Sequence, residues 1–398
     1  MPQITVDDVH KLFIETYGKD YDMQVADSVL AVAATNKLAG DPPWLMVISG
    51  SGNAKTESVN SVSNVPRTIA VSTIASQGAM LSAIKKGRGA TGGLLRRIGD
   101  EGILVIKDFT SIISGDRKAR TEILAALREV HDGEWNRDVG LSGGLKLTWK
   151  GRIICICACT TSWDSAYTVI SSMGPRFVTI RSSARVGRIA AGRRAIHNAG
   201  NEAAIRERIN KAVAALIARA HLPSRDAFLM GDEENKIINA ADIVTLARTG
   251  VEVDYQGNVI DCHEPEMPTR FSKQLVLIFR GALAIGIGRT PALALAIRCA
   301  RDSIPPIRLA VLRDLTNHDI EDCRVTDIAK RLRKPWTTVR RTLDALYVLG
   351  LVIKIEADDE DEDENQPTKG TSKSKGKTKK TERYALAADI DLTALDAP

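Results

Sequence analysis

The stretch WLMVISGSGNAKTESVN, residues 44–60, joins a short apolar run to a small, polar turn that ends in Lys55 and Thr56. A phosphate-binding loop follows a buried strand, opens a helix and carries the pattern G-x-x-x-x-G-K-[ST]. Here Ser49 stands at the first glycine of that pattern, and Ala54 stands at the glycine before the lysine. Alanine is the smallest substitute and fits a helix start without strain. The strand-to-helix context therefore favours a nucleotide site over a purely structural turn.

The predicted loop has the side chains that bind a nucleoside triphosphate together with Mg²⁺. Small residues let backbone N–H groups turn towards phosphates, while Lys55 reaches the outer phosphates and the hydroxyl of Thr56 ligates the metal. A helix that begins near Lys55 adds its positive end. We therefore expect ATP and Mg²⁺ as cofactors, bound by the loop residues Gly50, Ser51, Gly52, Asn53, Ala54, Lys55 and Thr56.

The bulk composition is that of an ordinary protein with a buried core. A chain of 398 residues that is 44% hydrophobic and 26% charged predicts about two or three domains. Apolar runs stay well short of ~20 residues, and the N-terminal MPQITVDDVHK lacks the basic start and the apolar stretch of a signal peptide. We therefore expect a cytoplasmic protein with no membrane partner.

The six cysteines agree with that compartment. Cys155, Cys157 and Cys159 alternate within RIICICAC, which places them on one face of a strand. Buried strand cysteines are the preferred interpretation, and a metal site of the form C-x-C-x-C is the alternative.

The charge distribution is more informative than the net charge of +6. An acidic run, DDEDEDE (358–364), is followed by a lysine-rich segment, so the rest of the chain is basic. A dense group of arginines suits a polyanion such as DNA, although solvated surface arginines remain an alternative. That group comprises Arg181, Arg185, Arg188, Arg193 and Arg194.

Short apolar runs that alternate with helical patterns predict an α/β fold, a three-layer αβα P-loop domain with a mostly parallel sheet. The runs lie at 44–50, 67–73, 102–108, 152–159 and 176–181. This core, with its N-terminal helices, is assigned to 1–198. The helical patterns of 199–304 predict a lid, and Pro305-Pro306 marks the boundary of a last domain, 305–398.

The last domain has the pattern of a winged helix-turn-helix. A helix, a tight turn and a second helix at 336–349 precede two predicted strands, LVIKIE and ERYALA, with a disordered wing tip at 357–381. The second helix would face DNA through Thr337, Thr338, Arg340 and Arg341. Protein docking by the same module is the alternative.

The order of motifs resembles an AAA+ ATPase, of the branch with a β-hairpin inserted before sensor 1, and is similar to the minichromosome-maintenance (MCM) helicases. SGSGNAKT resembles their loop, which also has alanine before the lysine, and GILVIKDF (102–109) resembles their metal-binding strand. The segment 127–153 resembles the helix and inserted hairpin, followed by ACTTS, GPRF and MPTRF in the family order. Uncharacterised ATPases of phages and integrative elements share this combination.

The resemblance implies a role for each matching residue. Asp108 would hold the metal and serve catalysis, Thr160 would orient the attacking water as sensor 1, and Arg176 would act as a finger on a neighbour's nucleotide. Arg270 would be the sensor-2 arginine, although a surface arginine at 176 and a lid salt bridge at 270 are the alternatives. Lys146, near the hairpin tip, would contact the DNA backbone. A homo-oligomer in the form of a hexameric ring follows from the finger.

One position departs from the family. The Asp–Glu pair of the metal-binding strand is replaced by Lys107-Asp108, so a single carboxylate covers two tasks and slow hydrolysis is expected. We therefore hold three hypotheses. The first is a DNA-linked ATPase, a helicase or a replication initiator or loader of a mobile genetic element. The second is an ATP-switched DNA-binding transcriptional regulator with little or no hydrolysis, and the third is an adaptor whose last domain docks protein.

Overall fold

The computed structural model describes residues 3–50, 52, 55–83, 92–139, 145–167, 170, 176–182, 188–320, 323–358 and 380–398. The chain forms two compact units. Unit 1 comprises Met1–Val244, Met267–Ser303 and Ala394–Pro398, and unit 2 comprises Thr245–Glu266 and Ile304–Thr393. Residues 245–266 therefore belong to unit 2, whereas the sequence placed them in the 199–304 segment. Most of the predicted wing tip, 359–379, lies outside the described residues.

Unit 1 is a mixed helix and strand unit. Its helices are α1 (Val6–Tyr17), α2 (Met23–Ala34), α3 (Lys55–Asn60), α4 (Gln77–Met80), α5 (Leu94–Ile98), α6 (Thr110–Ser114), α7 (Arg117–His131), α8 (Ser162–Ser165), α9 (Arg188–His197), α10 (Glu202–Arg219), α11 (Gly231–Ala247, whose last residues enter unit 2), α12 (Thr269–Ala284) and α13 (Arg289–Asp302). Its strands are β1 (Trp44–Ile48), β2 (Thr68–Val71), β3 (Glu101–Ile106), β4 (Glu134–Val139), β5 (Leu145–Lys150), β6 (Arg152–Cys159) and β7 (Phe177–Arg181).

A five-stranded parallel sheet is the centre of unit 1. The strand order is β2-β3-β6-β1-β7, and all four neighbouring pairs are parallel. β1 is buried along its whole length, and β3 and β6 are buried except at their first residues. Such runs are expected where helices cover both faces of a sheet. The predicted α/β class with a mostly parallel sheet is confirmed at this level.

One face of the sheet carries the large side chains of the core. Trp44, Met46, Cys155 and Cys157 pack there with apolar residues of α5, α6 and α7. The cysteines of β6 are buried and free of disulfides, as the strand interpretation predicts. α2 packs against β1, β6 and β7, and α12 packs against α2.

The close approach of α12 to α2 depends on Gly281. A Cβ atom at this position would lie 2.2 Å from the carbonyl oxygen of Ala31. Two backbones can come this close only where one of them has no side chain. Gly281 therefore sets the spacing of the helices behind the sheet.

The predicted hairpin before β6 is confirmed. β4 and β5 pair antiparallel, with Trp135 directly opposite Trp149. Both indoles are buried, and Nε1 of Trp149 donates to the carbonyl oxygen of Gly99 at 2.8 Å. These tryptophans pack the base of the hairpin, as expected, while the tip at 140–144 lies outside the described residues.

Unit 2 joins two separate parts of the chain. Its elements are β8 (Val251–Val253), β9 (Val259–Cys262), α14 (Pro306–Thr316), α15 (Val325–Leu332), α16 (Trp336–Val348), β10 (Val352–Asp358) and β11 (Lys380–Leu386). β10 and β11 form the predicted antiparallel pair, and β8 pairs antiparallel with β9. Val339, Leu343 and Leu346 of α16 are buried, as their helical spacing predicts. Among the described residues of both units, none of the helices combines the length and apolarity needed to cross a membrane.

Replacing Gly281 with alanine is predicted to destabilise unit 1 by about 1–3 kcal/mol, because the added methyl group must displace the α2 backbone. Thermal unfolding measures the change. Gly192→Ala in α9 is the matched control, because no atom lies within 4 Å of its Cβ position. Helix propensity predicts that the control stabilises the protein by about 0.5–1 kcal/mol. Equal effects of the two substitutions would contradict the packing argument.

Candidate functional site

The ends of three central strands bring the predicted nucleotide residues to one edge of the sheet. In the parallel register, Ile48 of β1 lies opposite Cys159 of β6, and Ile106 of β3 lies opposite Cys157. Backbone hydrogen bonds continue past the strands, from Ser49 N to the Cys159 carbonyl (3.2 Å) and from Phe109 N to the Ala158 carbonyl (2.8 Å). The segments after β1, β3 and β6 therefore start side by side.

The connections of the sheet reverse direction at this edge. From β1 the chain crosses to the far strand β2, whereas from β6 it passes β1 to reach β7 on the other side. With right-handed crossovers, the connections from adjacent strands β1 and β6 leave on opposite faces. Ligands of open α/β sheets bind in the crevice outside such a switch point.

Lys55 lies across the segment that follows β1. Its Nζ donates to the carbonyl oxygens of Gly50 (3.2 Å) and Ser49 (3.4 Å). Burial lowers the pKa of Lys55, while the nearby Cys159 and Asp108 act in the opposite direction. An anionic ligand could replace the two carbonyl groups and compensate a partly desolvated ammonium group.

The rest of the loop is described in part. Gly52 has φ +81°, a conformation that favours glycine, and no atom of the described residues lies within 4 Å of its Cβ position. Thr56 is exposed on the first turn of α3. The predicted ligands Ser51, Asn53 and Ala54 lie outside the described residues.

α3 is fixed by contacts on its opposite side. The guanidinium group of Arg206 in α10 binds both carboxylate oxygens of Glu57, through Nε at 3.0 and 2.9 Å and through Nη2 at 2.8 Å. The hydroxyl groups of Tyr21 and Ser58 lie 2.7 Å apart. The position of Lys55 and Thr56 therefore depends on α10 and on the segment between α1 and α2.

Asp108 presents a carboxylate at the same edge. Its side chain is exposed and accepts a hydrogen bond from the hydroxyl of Ser111. Lys107, the residue before it, is partly buried. Only one carboxylate follows β3, as the sequence indicated.

Thr160, the predicted sensor-1 residue, belongs to a network of hydroxyl groups. Its backbone N–H donates to Oγ1 of Thr110 at 3.0 Å, and its own Oγ1 lies 2.8 Å from Oγ of Ser162. Oγ1 of Thr110 also donates to Oγ1 of Thr160 at 3.3 Å. Thr110 therefore ties the end of β3 to the end of β6, a role that sequence reasoning missed. The signal was a hydroxyl residue two positions after Asp108.

Arg176 and Arg270 do not join this edge. Arg176 directly precedes Phe177, which pairs with Trp44 at the start of β1, so it lies at the opposite edge of the sheet. Its Nη2 donates to Oδ2 of Asp132 at 3.0 Å, and its side chain is 15% exposed. Arg270 lies close enough to His131 to lower that residue's pKa. The two predicted arginines thus share the edge remote from Lys55.

His131 is the buried centre of the arginine edge. Its Nδ1 lies 3.1 Å from Oδ1 of Asp132, and Nε2 of Gln274 lies 3.3 Å from its Nε2 and donates to the carbonyl of Arg176 at 2.8 Å. Burial lowers the pKa of His131 to about 4, with a further effect of Arg176. Burial acts to raise the pKa of Asp132, but hydrogen bonds from Arg176 and His131 outweigh it and hold that pKa below its usual range.

Part of the dense arginine group has internal partners. Arg181 binds both carboxylate oxygens of Asp164 at 2.9 and 2.8 Å, and its backbone N–H donates to Asp302. Arg194 donates to the carbonyl of Glu15. Arg193 is exposed, whereas Arg185 and the side chain of Arg188 lie outside the described part. Arg181 thus links β7 to α8 and to α13.

Some of the side chains predicted to contact DNA are exposed, whereas others are bound to groups within the protein. Thr337 and Thr338 are exposed at the start of α16. Arg340 is engaged by Asp344 (3.1 Å) and by Glu382 of β11. Nη2 of Arg341 donates to the carbonyl of Gln256 at 2.5 Å. In unit 1, Lys146 is exposed on β5, in the position opposite Asp138.

Comparisons with known proteins give no indication of the function, so the function has to be inferred from the geometry of the site. No protein-family model matches the chain, and no curated protein matches it. Among the described residues, His, Cys, Asp and Glu side chains form no group of three that could hold a metal ion. A Mg²⁺ ion carried by a nucleotide needs fewer protein ligands, since phosphates and water supply the rest. The hydroxyl of Thr56 and the carboxylate of Asp108 have the chemistry for that smaller set.

The depressed pKa of His131 predicts a loss of stability between pH 6.5 and 4. The unfolded chain binds a proton at this histidine below its ordinary pKa of 6.5, while the folded protein does so only near pH 4. The free energy of unfolding therefore falls by about 3 kcal/mol as the pH decreases through this interval. Denaturant titrations at several pH values measure it.

His131→Gln should flatten this pH dependence, because glutamine does not titrate. His197→Gln is the control, since His197 is exposed on α9. If His131→Gln and the native chain lost stability in parallel between pH 6.5 and 4, the assignment to His131 would be wrong.

Proposed function

We propose that this protein binds ATP with Mg²⁺ at the switch-point edge of unit 1 and uses it in work on DNA. The observation that carries the proposal is the position of Lys55. It is partly buried at the start of α3, against the carbonyl groups of Ser49 and Gly50 that a phosphate could replace, with Asp108 near enough to affect its pKa. A lysine in this position after a strand is what a phosphate-binding loop requires.

Each residue of the edge has a task in this proposal. Lys55 neutralises the outer phosphates, and Thr160, held by Thr110, orients the attacking water. Thr56 and Asp108 would hold Mg²⁺, which supplies charge neutralisation at the phosphates when it is bound. Asp108 also accepts a hydrogen bond from Ser111, which keeps its carboxylate at the edge.

The proposed family is that of AAA+ ATPases with a hairpin before sensor 1. The strand order β2-β3-β6-β1-β7 and the β4–β5 hairpin inserted before β6 support it. Arg176 and Arg270 lie at the edge remote from Lys55, so the finger role proposed for Arg176 and the sensor-2 role proposed for Arg270 would each require a second copy of the chain. The proposed finger therefore implies a homo-oligomer, in the form of a hexameric ring.

The proposed DNA module is unit 2, as a winged helix-turn-helix. α15 and α16 are joined by a tight turn with Arg333 in the left-handed region (φ 50°), and β10 and β11 would form the wing. An isolated antiparallel β-bridge, formed by the backbones of Arg324 and Arg383, links the start of α15 to β11. Thr337 and Thr338 present α16 to a groove of DNA. The proposal therefore covers a helicase, a replication initiator or a loader of a mobile genetic element.

Lys107 favours a second candidate, an ATP-switched DNA-binding regulator with little or no hydrolysis. Where the family pattern has a pair of carboxylates after the strand, this chain has a cation followed by Asp108. A cation attracts phosphates but ligates no metal. Such a site can bind ATP strongly and turn it over slowly.

Lys55→Ala is predicted to weaken ATP·Mg²⁺ binding by about 10- to 100-fold, because a charged hydrogen bond to phosphate is lost. Equilibrium binding of a fluorescent ATP analogue measures it, and ATP turnover with and without DNA follows on the same samples. Lys118→Ala is the matched control, since Lys118 is exposed at the start of α7. Unchanged nucleotide affinity in Lys55→Ala would refute the site.

Substitutions at 107 and 108 separate the two candidates. Asp108→Asn should retain ATP binding and lower any turnover by about 100-fold, in the range of a lost catalytic base. Lys107→Asp creates a pair of carboxylates and should raise kcat by at least about tenfold, whereas Lys107→Met tests removal of the charge alone. Steady-state turnover with and without DNA is measured. A native protein that binds ATP tightly without turnover favours the switch, and turnover that is indifferent to Asp108 excludes its catalytic role.

A further inference from the structure

The β8–β9 hairpin of unit 2 is fastened to α16. Sγ of Cys262 donates to the carbonyl of Val348 at 3.5 Å, and Nη2 of Arg341 donates to the carbonyl of Gln256 in the hairpin turn. Gly257 has φ +80°, and a Cβ atom there would lie 2.9 Å from Cζ of Arg341. The guanidinium group thus lies against a turn that only glycine permits at this position. Arg341, predicted to contact DNA, instead braces the hairpin.

The turn is also ordered from within. Oδ1 of Asp254 accepts hydrogen bonds from the backbone N–H groups of Gln256 and Asn258, both at 2.8 Å. Oδ2 accepts from the side-chain amide of Asn258 at 2.9 Å. Asp254 is therefore engaged with three donors of its own turn, and the tip is held rigidly before any ligand arrives.

Tyr255 stands at the tip of this rigid turn and is 94% exposed. By contrast, the partly exposed ring of Tyr347 is covered by Nζ of Lys354, 4.5 Å from its centroid. An aromatic ring held almost wholly in water on a pre-ordered turn gains free energy whenever a flat apolar group covers it. The bases of nucleic acid are such groups.

The tip lies beside the side of α16 that is proposed to face DNA. Tyr255 is two residues from Gly257, so its Cα lies within about 8 Å of the glycine that contacts Arg341. Arg341 follows the exposed Thr337 and Thr338 by one helical turn, which places all three on one side of the helix. The ring is thus within reach of DNA bound along that side.

The charges of the hairpin indicate whether it would contact the bases or the phosphate groups of DNA. Glu252 lies directly opposite Asp261 on the two strands, and both are exposed, so the strands repel phosphate groups. The tip carries an aromatic ring and an Asp254 already engaged with N–H donors. The surface therefore fits a base rather than the sugar-phosphate backbone.

We propose that Tyr255 stacks on an unpaired base next to duplex DNA held by α16, with Arg341 as the positioning residue. The hairpin would then give unit 2 a preference for DNA that has an unpaired end or fork over blunt duplex. This inference rests on the proposed function, because it requires α16 to bind DNA. Its own content is the separate contact made by the β8–β9 hairpin.

The test compares fluorescence anisotropy of the full chain with a forked DNA and with a blunt duplex of equal duplex length. Tyr255→Ala should weaken forked-DNA binding by about tenfold, as expected for loss of one base stack, and leave duplex binding unchanged. Tyr255→Phe should restore the preference, since it keeps the ring. Tyr347→Ala is the matched control, because that ring is already covered by Lys354.

Arg341→Ala examines the positioning role. It should lower forked-DNA binding, and combination with Tyr255→Ala should add little, because both substitutions remove the same contact. Thermal unfolding checks that the variants are folded. Equal forked and duplex affinities in the native chain, or no effect of Tyr255→Ala on forked DNA, overturn the inference alone. Absence of any DNA binding by the native chain overturns the proposed DNA function together with it.

Discussion

The parallel register of β1, β3 and β6 is the constraint on which the rest of unit 1 depends. Their carboxyl ends leave the sheet together, so Lys55, Asp108 and Thr160 meet although more than 100 residues separate the first from the last. Hydrogen bonds from Ser49 to the Cys159 carbonyl and between Thr110 and Thr160 extend that register into the loops. A shift by one residue would turn each of these side chains to the opposite face and separate them.

The sheet holds two groups of charged residues at its opposite edges. Lys55 and Asp108 lie at the carboxyl edge, whereas Arg176 and Asp132 lie at the amino edge, about five strand residues or roughly 17 Å away. A single chain could not bring these arginines to a nucleotide bound at its own Lys55, as proposed, without moving the sheet. In the proposed ring the distance becomes useful, since one copy would supply the phosphate loop and the next copy the cations. Arg176 must then leave Asp132, which couples assembly to the His131 cluster.

Much of unit 1 could be predicted from sequence because its signals are local. Buried strands appear as apolar runs, whereas the β4–β5 hairpin was expected only from the resemblance of 127–153 to a known family. Partners distant in sequence were not visible. Residues 245–266 join α16 through one thiol, one guanidinium group and Gly257, none of which leaves a periodic pattern. For the same reason Arg340 and Arg341 were expected to be available to DNA, and Thr110 was missed although it lies two residues after Asp108.

Lys107 stands where the proposed family has a carboxylate, and this affects how the proposed nucleotide site would use ATP. A cation near the phosphates attracts the triphosphate in the ground state and in the transition state alike. Interactions that are equal in both states tighten binding without raising kcat. Under the proposed function, a site with Lys55 and Lys107 but with Asp108 as the carboxylate after β3 would be better suited to retaining ATP than to rapid turnover. If the protein is a motor, DNA or a neighbouring copy must supply the missing transition-state stabilisation, and Arg176 of that copy is the residue proposed for this role.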